Sequence, residues 1–228
     1  MNTFPPFLLM SSKGEQTLGV RSPFFFSVFL LLVCLLFPAF APAGETVRFI
    51  CDGDTVILES GERIRYLGID TPEMGEEGRP AEFMAEEARA FNAQLVQGEQ
   101  VRLESDREKR DRYGRMVACV YLLDGRLINE LLVQHGLALV VTRRPNVLHR
   151  ERLILAQREA MTRGLGIWSR WPDSREGPCV VSRRSFRFHR PDCPYAQQIR
   201  PQNRVRFDST LQACWEGYSP CSHCFPGR

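Results

Sequence analysis

Two periodicities are interleaved along this chain. Residues 46–50 alternate toward a strand, Asp52-Gly53-Asp54 signals a turn, and the β-branched run 55–58 follows as a second strand. Ser60-Gly61-Glu62 turns the chain into a third predicted strand, 63–69, with Arg63, Arg65 and Leu67 on one face and Ile64 and Tyr66 on the other. Pro80 suits the first position of a helix, and Met84, Ala88, Phe91 and Leu95 then form a helical stripe stopped by Gly98. Residues 101–104 and 115–122 read as two more strands. A short helix places Ile128, Leu131, Leu132 and His135 on one face and ends at Gly136. A third helix carries Leu153, Ala156 and Ala160 before Gly164. Five strands in hairpin-rich groups with three helices predict a β-rich α+β domain built on a small Greek-key barrel of the OB type.

Composition narrows the class. With 228 residues, 43% hydrophobic and 25% charged, disorder, collagen and coiled coil are excluded. The formal charge of +3 is too mild to mark a nucleic-acid binder by itself, although the basic residues are nearly all arginine, Lys13 and Lys109 excepted. The charge is unevenly spread. Residues 44–174 hold 19 Lys+Arg against 22 Asp+Glu, whereas residues 175–228 hold 9 against 4. The polar, proline-broken stretch around residues 171–178 separates these regions. The expected organisation is therefore a domain over 44–172, a linker over 173–180 and a small basic module over 181–228.

Residues 1–43 read as a targeting segment. Lys13 and Arg21 precede an apolar run over 24–37, and Ala39-Phe40-Ala41-Pro42-Ala43 resembles a small-residue cleavage site. The run is short for a spanning helix, which needs roughly 20 apolar residues. A cleaved export signal ending at Ala43 is expected, with an uncleaved membrane anchor as the alternative. Export would place the chain in a periplasmic or extracellular setting, where thiols meet oxidants and calcium is more available than in cytosol.

Four carboxylates, Asp52, Asp54, Asp70 and Glu73, stand near predicted strand ends, with Arg65 and Arg115 in or beside strands. A hard cation takes oxygen ligands, and arginine's planar fork suits phosphoryl oxygens on which charge develops. The same residues also make ordinary turns and solvated strand positions. On a straight strand Arg65 and Asp70 would stand roughly 16 Å apart, too far to share one phosphate.

A resemblance bears on that choice. Ile50-Cys51-Asp52-Gly53-Asp54-Thr55-Val56, the run from Arg65 through Gly68, Asp70, Thr71 and Pro72 to Glu73, and Asp111-Arg112-Tyr113-Gly114-Arg115 resemble the signature blocks of the staphylococcal nuclease (thermonuclease) family. So do Asn129-Glu130-Leu131-Leu132, Gly136-Leu137-Ala138, Pro145-Asn146 and Gly166-Ile167-Trp168, in order over roughly 44–172. The resemblance implies an OB-fold barrel with three helices that cleaves DNA and RNA phosphodiesters with calcium, leaving 3′-phosphate and 5′-hydroxyl ends. It implies calcium carboxylates at Asp54 and Asp70, the carbonyl of Thr71 as a further ligand, and Asp52 as a weaker one. Glu73 would be the general base, Arg65 and Arg115 the phosphate-binding arginines, and Arg112 and Tyr113 contacts to a terminal phosphate. Where the family prototype carries tyrosines lining the nucleotide pocket, this chain has Leu139 to Arg144 without an aromatic. Arg143 and Arg144 are then candidate substrate contacts in their place. The alternative is a non-catalytic nucleic-acid-binding OB protein with a zinc module.

In the tail, His189-x3-Cys193 and Cys221-x2-Cys224 supply two short-spaced pairs, the pattern of a tetrahedral structural zinc site. A disulfide among these cysteines is the competing reading. The surrounding residues are similar to the Ada DNA-repair metal-binding domain. The position of its methyl-accepting cysteine is here His189, so the resemblance implies a structural or DNA-contacting module without repair activity. Cys51 and Cys119 are expected to pack in barrel strands. The expected partners are DNA and/or RNA, with no obligate protein partner and a monomeric state.

Overall fold

The computed structural model describes residues 44–171 and 176–225. The targeting segment at 1–43, residues 173–175 at the start of the expected linker and residues 226–228 of the expected module lie outside the described residues. Five strands close into a barrel in the order β1-β2-β3-β6-β5. They are β1 Glu45–Ile50, β2 Thr55–Leu58, β3 Arg63–Tyr66, β5 Gln100–Glu104 and β6 Met116–Leu122. Only the β3–β6 seam is parallel, pairing Ile64 with Met116 and Tyr66 with Ala118. Alternate residues fill the interior with Val47, Val56, Leu58, Ile64, Tyr66, Val101, Ala118 and Val120. The predicted five-stranded barrel is the one observed.

The third strand is shorter than its pattern suggests. It stops at Tyr66, Gly68 takes a left-handed φ of +78°, and the chain restarts as β4 (Ile69–Asp70), paired with β7 (Leu139–Val140). A side chain at Gly68 would be strained by that φ and would press on Leu153, so glycine alone permits this break.

Helix α1 (Ala85–Val96) begins five residues after Pro80, and Met84 precedes it in a left-handed conformation. Its buried face is Ala85, Ala88, Asn92 and Val96, with Met84, Phe91 and Leu95 at the margin. Helix α2 (Ile128–Gln134) buries Ile128, Asn129, Leu132 and Val133 and leaves His135 exposed, a face rotated from the predicted one. The reason is Asn129. Its amide donates to the Leu67 carbonyl at 2.8 Å and accepts from the Val120 N–H at 2.9 Å, so a polar side chain satisfies the barrel backbone from inside. Helix α3 (Arg150–Thr162) buries Leu153, Ile154, Ala156, Gln157 and Ala160.

The C-terminal segment starts earlier than expected. Cys179 and Val180, placed in the linker by sequence, belong to β8 (Cys179–Ser182). With β9 (Arg187–His189), β10 (Arg204–Phe207) and β11 (Ser219–Pro220) it forms a four-stranded sheet in the order β10-β8-β9-β11. Two short helices complete it, α4 (Pro194–Gln197) and α5 (Thr210–Trp215). This segment is not suspended from the barrel. Leu139, Ala160 and Trp168 share one apolar cluster with Val181, Phe188, Ala213, Cys214 and Phe225. The fully buried Gln157 joins the two parts: its side-chain oxygen accepts from the Val140 N–H at 2.8 Å, and its amide donates to the Cys214 carbonyl at 2.6 Å. Barrel and C-terminal segment are one compact unit. A segment too short to bury a full core alone thus completes it on α3.

Candidate functional site

The break at Gly68 builds the site. By turning the chain it returns Asp70 toward Arg65, whose guanidinium sits between two buried carboxylates. Nη1 stands 2.5 Å from Asp54 Oδ2, and Nη2 donates to Asp70 Oδ1 at 2.6 Å. The separation expected of a straight strand is therefore removed by one left-handed residue. Asp54 also accepts from the Thr71 N–H at 2.8 Å and the Thr55 hydroxyl at 3.2 Å. Asp52 caps the same turn by accepting from the Asp54 N–H at 2.9 Å. A Cβ at Gly53 would stand 2.8 Å from side-chain atoms of both Ala88 and Thr71, so α1 and the loop after β4 close on this turn only because it carries glycine. Asn92 ties the turn down from α1: it accepts from the buried Tyr66 hydroxyl at 2.9 Å and donates to the Asp52 carbonyl at 3.4 Å.

Asp52, Asp54, Arg65, Asp70, Thr71, Glu73, Arg112, Tyr113, Arg115 and Arg143 all line one cleft of 440 Å3. Arg144 lies outside it and rests on the Phe186 ring, with its guanidinium carbon 5.0 Å from the centroid. The electrostatics reflect acids gathered in a poorly solvated mouth. Burial, reinforced by Asp54, pushes Asp52 up to about 6. Burial and then Asp54 also raise Glu73 above the usual carboxylate range, against the pull of Arg65. Both shifts make the carboxylate a readier proton acceptor than it would be in water.

Arg115 is held rather than free. Its Nε and Nη2 both reach Asp111 Oδ2 at 2.8 Å, and Asp111 also accepts from the Tyr113 N–H at 2.9 Å. Asp111 thereby folds the Asp111–Arg115 loop about itself as an Asx turn. Tyr113 projects into solvent with the guanidinium carbons of Arg112 and Arg115 at 4.8 and 5.4 Å from its ring. Asn146 clamps the loop from the far side, accepting from the Glu108 N–H and donating to the Glu108 carbonyl, both at 2.8 Å. Glu82 receives the Glu73 N–H at 2.9 Å. Asp111, Asn92 and Glu82 are not readable as site residues from sequence. Only Asp111, two positions before Tyr113, carries a local turn signal.

The cleft offers a hard cation only oxygen donors, the carboxylates of Asp52, Asp54, Asp70 and Glu73, with Thr71 in the same lining. That chemistry fits calcium. In the C-terminal segment a second donor set is soft. One ligand atom each from His189, Cys193, Cys221 and Cys224 lie within 4.8 Å of one another. His189 Nδ1 and Cys193 Sγ are 3.7 Å apart, close to the roughly 3.6 Å N···S edge of a tetrahedron with Zn–N of about 2.0 Å and Zn–S of about 2.3 Å. The cysteines are thiols rather than disulfide partners. Burial, with Arg187 beyond it, keeps His189 toward its neutral, ligating form. Burial pushes Cys224 up to about 12, an environment that a bound cation would reverse. The donors fit zinc. His223 is exposed and outside the cluster. Cys119 is buried as expected, whereas Cys51 is only half-buried.

The cations continue beyond the cleft. Partial desolvation, then Arg65 and Arg112, lower Arg143 from its ordinary value. Burial and then Arg143 bring Arg187 down to about 10. Arg143 thus stands within electrostatic reach of both the cleft and the C-terminal segment.

The closed barrel, its three helices and the cleft at their junction define the class as an OB-fold. The profile described as "Staphylococcal nuclease homologue" matches residues 63–170. The chain is 38% identical over 132 residues to the thermonuclease of Staphylococcus intermedius, covering 56% of this chain and 78% of that protein. It is 37% identical over 128 residues to the thermonuclease of Staphylococcus hyicus, covering 55% and 75%. Endonuclease YncB of Bacillus subtilis (strain 168) is 36% identical over 124 residues, covering 52% and 58%. The chain belongs to the staphylococcal nuclease family.

Proposed function

We propose that this protein is an exported, calcium-dependent nuclease that hydrolyses DNA or RNA to 3′-phosphate and 5′-hydroxyl ends. The observation that carries the reading is Arg65 held between Asp54 and Asp70 with Glu73 in the same cleft. Asp54, Asp70 and the Thr71 carbonyl would hold calcium, with Asp52 beside them. When bound, the cation supplies charge to a phosphoryl oxygen and orients water. Arg65 and Arg115 present N–H donors to the remaining phosphoryl oxygens, where charge builds in the transition state. Glu73 takes the proton as water oxygen bonds to phosphorus. The bond from phosphorus to the 5′-oxygen breaks, and that oxygen takes a proton from solvent to leave as the hydroxyl. Arg112 and Tyr113 position the neighbouring phosphate. His189, Cys193, Cys221 and Cys224 would hold zinc, which when bound would tie β9 and α4 to the turn at Cys221–Cys224. The basic, apolar and small-residue succession of the first 43 residues supports export.

The test is incubation of the chain from Gly44 onward with single-stranded DNA and with RNA, with calcium or with chelator, followed by end-group analysis. Calcium-dependent cleavage with phosphate on the 3′ end is expected. Binding without cleavage would favour a non-catalytic OB protein.

A further inference from the structure

A groove of 810 Å3 runs between the barrel and the C-terminal segment. Arg112 and Arg143 line both this groove and the catalytic cleft, so the two are continuous. Arg144 from the barrel, and Arg184, Arg187 and Arg200 from the C-terminal segment, complete its cationic wall. Among the described residues no carboxylate lines it, and none of these six guanidiniums is in an ion pair. Arg187 is fixed by donating to the Pro220 carbonyl at 2.9 Å, immediately before the metal-ligand candidate Cys221. On the rim Tyr195 is half exposed, with His223 edge-on at 5.2 Å.

Six gathered guanidiniums with no carboxylate in their groove repel one another, Asp111 offsetting this only at Arg143, and a polyanion relieves that repulsion. Spaced phosphates suit them better than one small anion, because the arginines are spread along a groove. The exposed aromatic pair offers a stacking face, which a single strand can use and a base-paired duplex cannot.

We propose that this groove is an extended subsite for single-stranded nucleic acid. It would hold the flank of the strand whose scissile phosphate lies in the cleft, with the metal-stapled segment forming one wall. The proposal rests on the nuclease reading for which strand enters, but not for whether it binds. A strand in the cleft passes Arg112 and Arg143, then meets Arg187, Arg184 and Arg200, and lays a base on Tyr195. This replaces the aromatic lining missing from residues 139–144. Affinity is then a property of strand length, and the C-terminal segment supplies it without touching the bond that breaks.

The test uses the zinc-loaded chain from Gly44, in calcium-free buffer, with fluorescein-labelled oligothymidylates of three and twelve residues. Binding is read by anisotropy from about 50 to 200 mM salt. The 12-mer should bind about tenfold tighter or more than the 3-mer. Arg184→Glu with Arg200→Glu, both exposed positions, should abolish that advantage and flatten the salt slope by about 1.4, at about 0.7 per single-strand phosphate contact. Arg48→Glu with Arg89→Glu makes the same charge change outside the groove and should leave the 12-mer affinity within about twofold. Equal losses in the two double variants would overturn the subsite in favour of a general charge effect, as would an unchanged slope in the first. A 12-base-pair duplex bound as tightly as the single strand would overturn the single-strand assignment. Cleavage with calcium is scored on the same preparations. Cleavage without groove-dependent binding removes this proposal alone, and groove-dependent binding without cleavage removes the nuclease reading alone.

Discussion

Replacing Gln157 by leucine tests whether barrel and C-terminal segment are one cooperative body. The side chain is 1% exposed and bonds in both directions across the junction. Leucine has a similar volume and no polar atom. The Val140 N–H would lose its acceptor inside the core, which costs about 1–3 kcal/mol. The Cys214 carbonyl keeps its bond from the Gly217 N–H at 2.9 Å, so the loss there is the milder net value of about 0.5–1.5 kcal/mol. Together roughly 2–4 kcal/mol should disappear from a total of about 5–15 kcal/mol. For a folded unit of this size that lowers Tm by roughly 5–15 °C. A glutamate in the same place would restore the acceptor but set a buried carboxylate against the Cys214 carbonyl, so Gln157→Glu should be no better. The assay is urea unfolding followed by tryptophan emission and far-ultraviolet circular dichroism. Trp168, Trp171 and Trp215, all three tryptophans of the chain, lie at the junction. Both probes should shift together. A loss below about 0.5 kcal/mol, or wild-type transitions that separate between the two probes, would refute the shared core.

Glu73→Gln should lower kcat by about 10²–10⁴ at saturating calcium, and Arg65→Ala by about 10²–10³, in a steady-state assay on a defined oligonucleotide. Elemental analysis should find one zinc per chain, and its removal should lower Tm as well as scatter the Cys193, Cys221 and Cys224 thiols into reach of alkylating reagents. Burial works to raise the Asp106 carboxyl, but the N–H groups of Leu148, Val147 and Arg107 outweigh it and hold it below the usual range. Its contribution is therefore complete above the unfolded value of about 3.9 and fades as pH falls through the lower folded value. The stability difference between wild type and Asp106→Asn should shrink from pH 6 to pH 3, as read by urea midpoints.

The barrel is legible in the sequence because its strands alternate and its turns carry Asp and Gly. The same is true of the carboxylates, which stand in short contiguous runs. What sequence cannot give is the aim of Arg65, since one left-handed residue at Gly68 converts a straight-strand separation of roughly 16 Å from Asp70 into a hydrogen bond. Nor can it give Asn129, Gln157 and Asn146, polar side chains whose work is to satisfy backbone groups remote in the chain. The buried face of α2 departs from its apolar pattern for that reason: an asparagine, not an apolar residue, faces the barrel. The linker is shorter than its composition suggests because Cys179 and Val180 look unremarkable until Arg206 and Phe207 pair with them.

The dependence of the core on Cys214 and Phe225 has a consequence for how the molecule comes into being. These residues are made some fifty residues or more after α3 is complete, yet they share a core with Ala160 on that helix and with Trp168 just beyond it. Until they arrive, the nascent barrel shows an apolar flank, and such transient exposure invites aggregation and proteolysis. The flank therefore closes only once the segment carrying Cys214 and Phe225 has been made, and a metal held by His189, Cys193, Cys221 and Cys224 would secure that segment. A shortage of metal during synthesis would register as a smaller yield of intact protein, before any effect on an individual catalytic event.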